Sequence, residues 1–298
     1  MTLENFGWSE QRQNAFTAHA ADGLVPARVV SEHRSHLQVV TMVAELSAEV
    51  SGRLRNDAGQ RSDLPGVGDF VALRMALTDG PATIEAVLPR TTALVRKASG
   101  ENRPQLLAAN VDVVFIVTAP DGDFNLARIE RLLALVRDSG AGPVLILNKA
   151  DLTGDVSAIT EQIASVSQGA SLHVISALAH AGVDQIERYF NVNQTVGIVG
   201  SSGVGKSTLT NELLGRDVQA TQAVRTHDSR GRHTTTHRQL FLRPGGGCII
   251  DTPGMRGVES WIAAGNGGDN DGEARQLLQS STDDRTERKH RRRRRIGR

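Results

Sequence analysis

Between residues 28 and 88, apolar and polar residues alternate in the short runs "ARVVSEH", "LQVVTMV", "AEVSGRL", "GDFVALRM" and "ATIEAVL", each bounded by turn-forming residues. A period of two predicts half-buried strands, and five short strands at this spacing predict a small all-β barrel of the OB type. Past residue 108 the pattern changes. "VDVVFIVTAP", "PVLILNKAD", "LHVISAL", "TVGIVGSS" and "GGCIIDTPG" read as buried strands, each ending in a polar motif. Between the first two lies "NLARIERLLALVRDSG", which places Leu126, Ile129, Leu133 and Val136 on one helical face and offers Gly140 as a C-terminal stop. Strands separated by helices predict an α/β domain whose loops gather at the carboxyl edge of a mostly parallel sheet.

The expected organisation is an N-terminal segment over residues 1–27, the barrel over 28–92 and a linker over 93–108 that contains the polar hinge "ASGENRPQ". The α/β domain follows over 109–262. Residues 263–298 hold too few apolar side chains for a core and are expected to be a disordered, Arg-rich tail.

Composition narrows the picture. A chain of 298 residues with 39% apolar residues can bury a core in one large domain or two ordinary ones. It has no apolar run long enough to cross a bilayer, and "MTLENFGWSEQRQ" lacks the basic and apolar parts of a signal peptide, so a cytoplasmic location without a membrane partner is expected. The single cysteine, Cys248, excludes an intrachain disulfide and a zinc site built from several thiolates of this chain. The formal charge of +1 hides an asymmetry. Eight Lys or Arg lie in "RKHRRRRRIGR" at 288–298, which leaves 26 of the 34 basic residues against 33 acidic ones, a balance of −7 for the body. An acidic body with a basic tail suggests local contact with a polyanion, or a solvated tail.

"GSSGVGKST", from Gly200 through Ser201, Ser202, Gly203, Val204, Gly205, Lys206 and Ser207 to Thr208, fits the phosphate-loop pattern G-x-x-x-x-G-K-[ST] and lies between an apolar strand and a helical run. Glycines let successive N–H groups point at phosphate oxygens, Lys206 can reach the β and γ phosphates, and the Ser207 hydroxyl can ligate Mg²⁺. "DTPG" follows an apolar run, placing Asp251 at a strand end where it can hold Mg²⁺ through water and the Gly254 N–H opposite the γ phosphate. "GRHTTTH" between these motifs supplies a switch-loop hydroxyl for the metal, Thr235 with Thr236 close behind.

"NKAD", Asn148, Lys149, Ala150 and Asp151, ends another strand. The Asp151 carboxylate can accept two hydrogen bonds from the N1–H and N2 amino group of guanine, a donor pair that adenine lacks. Asn148 and the Lys149 stem complete a base pocket. Ser176 and Ala177, in "SAL" at the next strand end, can add a backbone N–H for the guanine O6. Taken alone, NKAD could also be a helix start after a strand. Four such motifs at strand ends form a constellation for GTP with Mg²⁺. Their order, base reader first and phosphate loop later, is a circular rotation of the usual GTPase order. A doubly wound domain tolerates this because the site depends on which loops meet at the sheet edge.

The wording "SGRL", "GDFVALR", "EAVLPR", "LVRKA", "AANVDVVFIVTAPDGDFNLARIERLLAL", "LNKADL", "GSSGVGKSTL", "GRHTTTHRQL" and "DTPGMR" resembles the RsgA family of small ribosomal subunit biogenesis GTPases over roughly residues 28–261. The resemblance implies a circularly permuted, slow GTPase that binds the small ribosomal subunit, contacts its rRNA and is stimulated by it. It also points to His233 in "GRHTTT" as the group that positions water; a solvated loop histidine contacting phosphate or RNA is the alternative. Met255 follows Gly254, where Ras-like enzymes carry a water-orienting glutamine. Family members usually carry a zinc site of three cysteines and a histidine after the GTPase domain. No cysteine follows Cys248 here, so zinc is not expected.

The leading expectation is a Mg²⁺-dependent GTPase, with Lys206 and His233 as catalytic residues, that acts as a monomer in late small-subunit maturation without binding DNA. The alternative is a GTP-gated RNA- or ribosome-binding module with negligible hydrolysis, and the barrel itself could serve RNA contact or only packing. An ATP-using enzyme conflicts with Asp151.

Overall fold

The computed structural model describes residues 2–33, 35–76, 80–97, 104–122, 124–216 and 238–251. His233, Thr235, Thr236, Gly254, Met255 and the Arg-rich tail lie outside them.

The chain opens with a 3-10 turn, Leu3–Phe6, and helix α1, Glu10–Ala20. Leu3, Trp8 and Phe16 pack with Leu24, Phe70, Ala72 and Leu88. The Trp8 ring lies 5.7 Å from Phe70. This segment therefore covers an outer face of the barrel that follows.

The barrel is built from β1 (Val25–Glu32), β2 (Leu37–Val40), β3 (Glu45–Val50), β4 (Phe70–Arg74) and β5 (Ala82–Val87). The strand order β1-β2-β3-β5-β4 closes back onto β1, with β3 and β5 parallel and the other pairs antiparallel. Ala27 and Val29, Leu37 and Val39, Val71 and Leu73, and Ala82 and Ile84 share one core, so the period-two pattern sends alternate residues inward. The run "AEVSGRL" does not stay extended. Ser51 accepts a hydrogen bond from Leu54 N at 3.1 Å and caps the short helix α2, Gly52–Asp57, which outcompetes the strand.

One arginine is buried here and a second is largely so. Arg28, which alternation alone would turn to solvent, is fully buried and donates to the carbonyls of Phe6 (2.7 Å), Gly68 (3.1 Å) and Asn110 (3.2 Å). Burial pushes its guanidinium pKa down. Arg90 pairs with Asp69 through two nitrogens, at 2.8 and 2.7 Å, and also reaches the carbonyls of Ser62 and Leu64. Burial disfavours its charge, yet Asp69 more than offsets this and raises its pKa.

The stretch expected as a linker is instead an antiparallel hairpin of β6 (Ala93–Lys97) and β7 (Pro104–Ala109). Its apolar side chains explain the difference: Leu94, Leu107 and Ala108 are buried in the core of the α/β domain rather than left to solvent.

The α/β domain comprises β8 (Val113–Thr118), α3 (Leu126–Asp138), β9 (Gly142–Leu147), α4 (Ser157–Val166), β10 (Ser171–Val174), β11 (Thr195–Gly200), α5 (Lys206–Leu214), β12 (Gln239–Leu242) and β13 (Cys248–Asp251). Its strand order is β10-β9-β8-β11-β13-β12, parallel except for the β12–β13 pair. Successive residues face opposite sides. Val114 and Ile116 pack towards α3, where Ile129, Leu132, Leu133 and Val136 are buried and Leu126 is half-buried. Phe115 and Val117 pack towards Leu209 and Leu213 of α5. Gly140 follows the end of α3 with φ +85°, as expected of its stop. The antiparallel strand β12 was not expected. It joins the domain sheet to the barrel through the pair Ser31 and Gln239. Among the described residues, no helix is long and apolar enough to cross a membrane.

Candidate nucleotide site

The phosphate-loop sequence leaves β11 at Gly200 and enters α5 at Lys206. Gly200 has φ +143°, and a Cβ there would lie 2.1 Å from the Val117 carbonyl oxygen, so only glycine lets the end of β11 pass β8. Val204 is anchored in the core, while Ser202 and Gly203 are exposed at the loop tip. Lys206 is buried, and its Nζ donates to the carbonyls of Gly200 and Ser201. The amine is thus held inside the loop. Ser207 and Thr208 follow half-buried in the first turn of α5, and the Thr210 hydroxyl closes on Lys206 O at 2.9 Å.

The tetrapeptide expected to read guanine stands against this loop. Asn148, buried at the end of β9, donates from Nδ2 to Val204 O at 2.9 Å and accepts from Ala177 N at 3.0 Å. A Cβ on Gly205, which has φ +92°, would meet the same Nδ2 at 2.3 Å. Glycine at 205 is therefore needed twice, for its backbone angle and for the approach of Asn148. Lys149 adopts a left-handed backbone, φ +61°, that turns the chain into the 3-10 turn Ala150–Leu152. Asp151 is exposed and its carboxylate accepts from the Ser176 hydroxyl, which in turn accepts from Ala179 N at 3.1 Å. Of the backbone N–H groups in "SAL", one of which is expected to face a guanine O6, that of Ala177 is given to Asn148 in this arrangement. The base reader, "SAL" and the phosphate loop thus form one bonded unit from three separate parts of the chain.

Residues 87–261 match the family model described as RsgA GTPase. The chain belongs to the RsgA GTPase family. It is 44% identical over 241 residues, 81% of this chain and 68% of the relative, to the small ribosomal subunit biogenesis GTPase RsgA 2 of Lactiplantibacillus plantarum. In fold it is similar to YjeQ from Thermotoga maritima, with a TM-score of 0.58 at 23% identity over 77% of this chain and 74% of that one. It is also similar to YloQ, a circularly permuted GTPase, with a TM-score of 0.52 at 20% identity over 77% and 71%. The rotated motif order and the barrel followed by a permuted GTPase domain are therefore the architecture of this chain.

Of the residues expected to arrange a metal, Ser207 and Asp251 are described. Asp251 is buried at the end of β13, one residue beyond Ile250, which pairs with Gly197 of β11. A hydroxyl and a carboxylate are hard oxygen donors that suit Mg²⁺. Among the described residues no group of three His, Cys, Asp or Glu side chains clusters as a metal site. A cation held by these two groups would take the rest of its shell from phosphate and water oxygens.

Three features of the site lay outside the sequence reading. Asp121 lies 3.6 Å from Lys149 Nζ, and Arg128 donates from its guanidinium to the Ser201 hydroxyl. His180, with φ +55°, places Nδ1 2.6 Å from Glu212 of α5 and ties the "SAL" loop to the phosphate-loop helix. One signal was present. Arg128 stands in the first turn of a helix, where the macrodipole disfavours a cation.

Proposed function

We propose that this chain binds GTP with Mg²⁺ at the carboxyl edge of its parallel sheet and hydrolyses it in the maturation of the small ribosomal subunit. The observation that carries the reading is the pair of hydrogen bonds of Asn148, donated to Val204 O at 2.9 Å and accepted from Ala177 N at 3.0 Å. It fixes the base-reading segment against the phosphate loop, as a single nucleoside triphosphate pocket requires.

Within that reading, Asp151 selects guanine, aided by Asn148, Lys149, Ala150, Ser176 and Ala177. The loop amides from Gly200 to Thr208 cradle the phosphates. Lys206 gives up its carbonyl partners for phosphate oxygens, and Gly254 offers its N–H to the γ phosphate. Ser207, Thr235 and Asp251 arrange the cation, which neutralises charge on the β and γ phosphates when bound. His233 positions the attacking water. Catalysis is then positioning and charge neutralisation by preorganised groups, which suits phosphoryl transfer.

The Lactiplantibacillus plantarum relative is named for small ribosomal subunit biogenesis, and its 44% identity over 81% of this chain supports the same role here. The barrel, residues 28–92, contacts rRNA, and the GTPase domain, residues 109–262, works as a monomer in the cytoplasm. The reading is tested by GTP hydrolysis of the full chain at low salt, with and without small ribosomal subunits. Stimulation by the subunit is the expected result. Met255 in place of a water-orienting glutamine favours one other reading, a GTP-gated ribosome-binding module. Tight GTP binding without turnover in either condition would select it, and ATP displacing GTP at equal concentration would remove both.

A further inference from the structure

Resting on the reading of this site as a GTPase centre, we propose that Arg128 is a positioning residue of the phosphate loop, acting through Ser201. Its guanidinium spans from α3 to the loop and donates to the Ser201 hydroxyl, 73 positions further along the chain. The carbonyl of the same serine accepts from Lys206 Nζ. Ser201 is thus gripped through its side chain by one cation and through its main chain by the other.

Local helix energetics do not account for a cation at this place. Arg128 occupies the first turn of α3, which contains no acidic residue, and the helix dipole opposes positive charge there. Its backbone is nevertheless fixed: Arg128 N donates to Oδ1 of the N-cap Asn125 at 3.0 Å. The side chain therefore reaches the loop from a rigid base. The connection between β8 and α3 also makes a second contact with the site, since Asp121 lies 3.6 Å from Lys149 Nζ. One segment touches both the base-reading and the phosphate-binding parts.

Phosphoryl transfer depends on alignment more than on covalent chemistry, so a group that sets the loop acts on the rate without touching the reacting atoms. Arg128 does this at the loop's first serine, next to the carbonyls that hold Lys206.

The test uses the full-length chain and compares it with Arg128→Ala, Arg128→Lys, Ser201→Ala and the double variant Arg128→Ala with Ser201→Ala. Single-turnover GTP hydrolysis, KM, GDP release and melting temperature are measured for each. Arg128→Ala should slow hydrolysis about tenfold while KM moves less than about threefold, and Arg128→Lys should recover part of the loss. The double variant should be no slower than Arg128→Ala, because both changes remove one contact. Multiplying losses, or an effect confined to melting temperature, would overturn the proposal. Absence of turnover in the unmodified chain would sink the GTPase reading instead. Arg128 is then judged on GDP release, where Ser201→Ala must change the rate of the unmodified chain but not that of Arg128→Ala for the proposal to stand.

Discussion

In the barrel, the guanidinium groups of buried Arg28 and largely buried Arg90 bond to backbone carbonyls from distant segments, whereas at the carboxyl edge of the α/β sheet buried Asn148 and Ser176 bond from loop to loop, Ser201 accepts from Arg128 of α3, and Lys206 bonds within its own loop. The buried side chains just named all find hydrogen-bond partners, as burial demands, and among the described residues the buried Ser62 hydroxyl is the exception. The two regions differ in where those groups lie. Arg28 draws together the N-terminal turn, the turn before β4 and Asn110, so its charge is used up in holding the fold. The edge groups stand around a rim where the exposed Ser202, Gly203 and Asp151 face outward. Burial of charge is thus structural in the first region and preorganising in the second.

The largest effect should come from the barrel. Asp69→Ala leaves Arg90 buried without its carboxylate, and breaking such a pair costs about 3–5 kcal/mol. Denaturant unfolding should show this loss while nucleotide affinity of the remaining folded protein stays unchanged; a matching fall in affinity would break the contrast. Lys206→Ala should act the other way. Removing a charge-assisted contact to phosphate should weaken GTP binding by about 10- to 100-fold with little change in melting temperature. Asn148→Ala should follow at about tenfold in affinity, since it unpairs Val204 O and Ala177 N and frees the loops to drift. Equal losses of stability and affinity in that variant would mean that the edge is structural too.

The smallest effect is a pH dependence at His173 on β10. Burial pushes its imidazole pKa down, the Gln185 contact opposes the shift, and the nearby Arg188 adds to it. The unfolded chain therefore takes up this proton first as pH falls. The stabilisation is complete above the ordinary histidine pKa of about 6.5 and is lost as pH drops through the lowered folded value. Melting temperatures at pH 7.5 and 5.5 should differ less in His173→Gln than in the unmodified chain.

Much of the architecture could be read from the residues because its signals are strong where burial is complete. Alternation marked Ala27 with Val29 and Val71 with Leu73, and "GSSGVGKST" and "NKAD" carry chemistry that few other sequences share. Weaker local signals were decided by tertiary packing. The hairpin β6–β7 is ordered by a core supplied by other segments, and β12 is four residues long with its pairing set by β13 and the barrel. Arg28 sits at an outward position and is buried because the N-terminal turn, the turn before β4 and Asn110 close over it. Arg128 and Asp121 belong to no phosphate or base motif, so their contacts with Ser201 and Lys149 emerge only when β8, β9 and β11 lie side by side.

The pairing of Ser31 with Gln239, backed by the ion pair between Glu32 and Arg238 at 3.1 Å, also sets an order of events in time. During synthesis the barrel strands emerge first and can close among themselves. The α/β sheet then grows outward from β8 to β9 and β10, and afterwards back across through β11 to β12 and β13. The seam between the two sheets joins residues 206 positions apart and can form only when nearly all the described chain has been made. A finished barrel must wait for it, and a chain arrested before β12 would hold a closed barrel tied to the growing sheet through Arg28 and Asn110 but without the strand-to-strand seam.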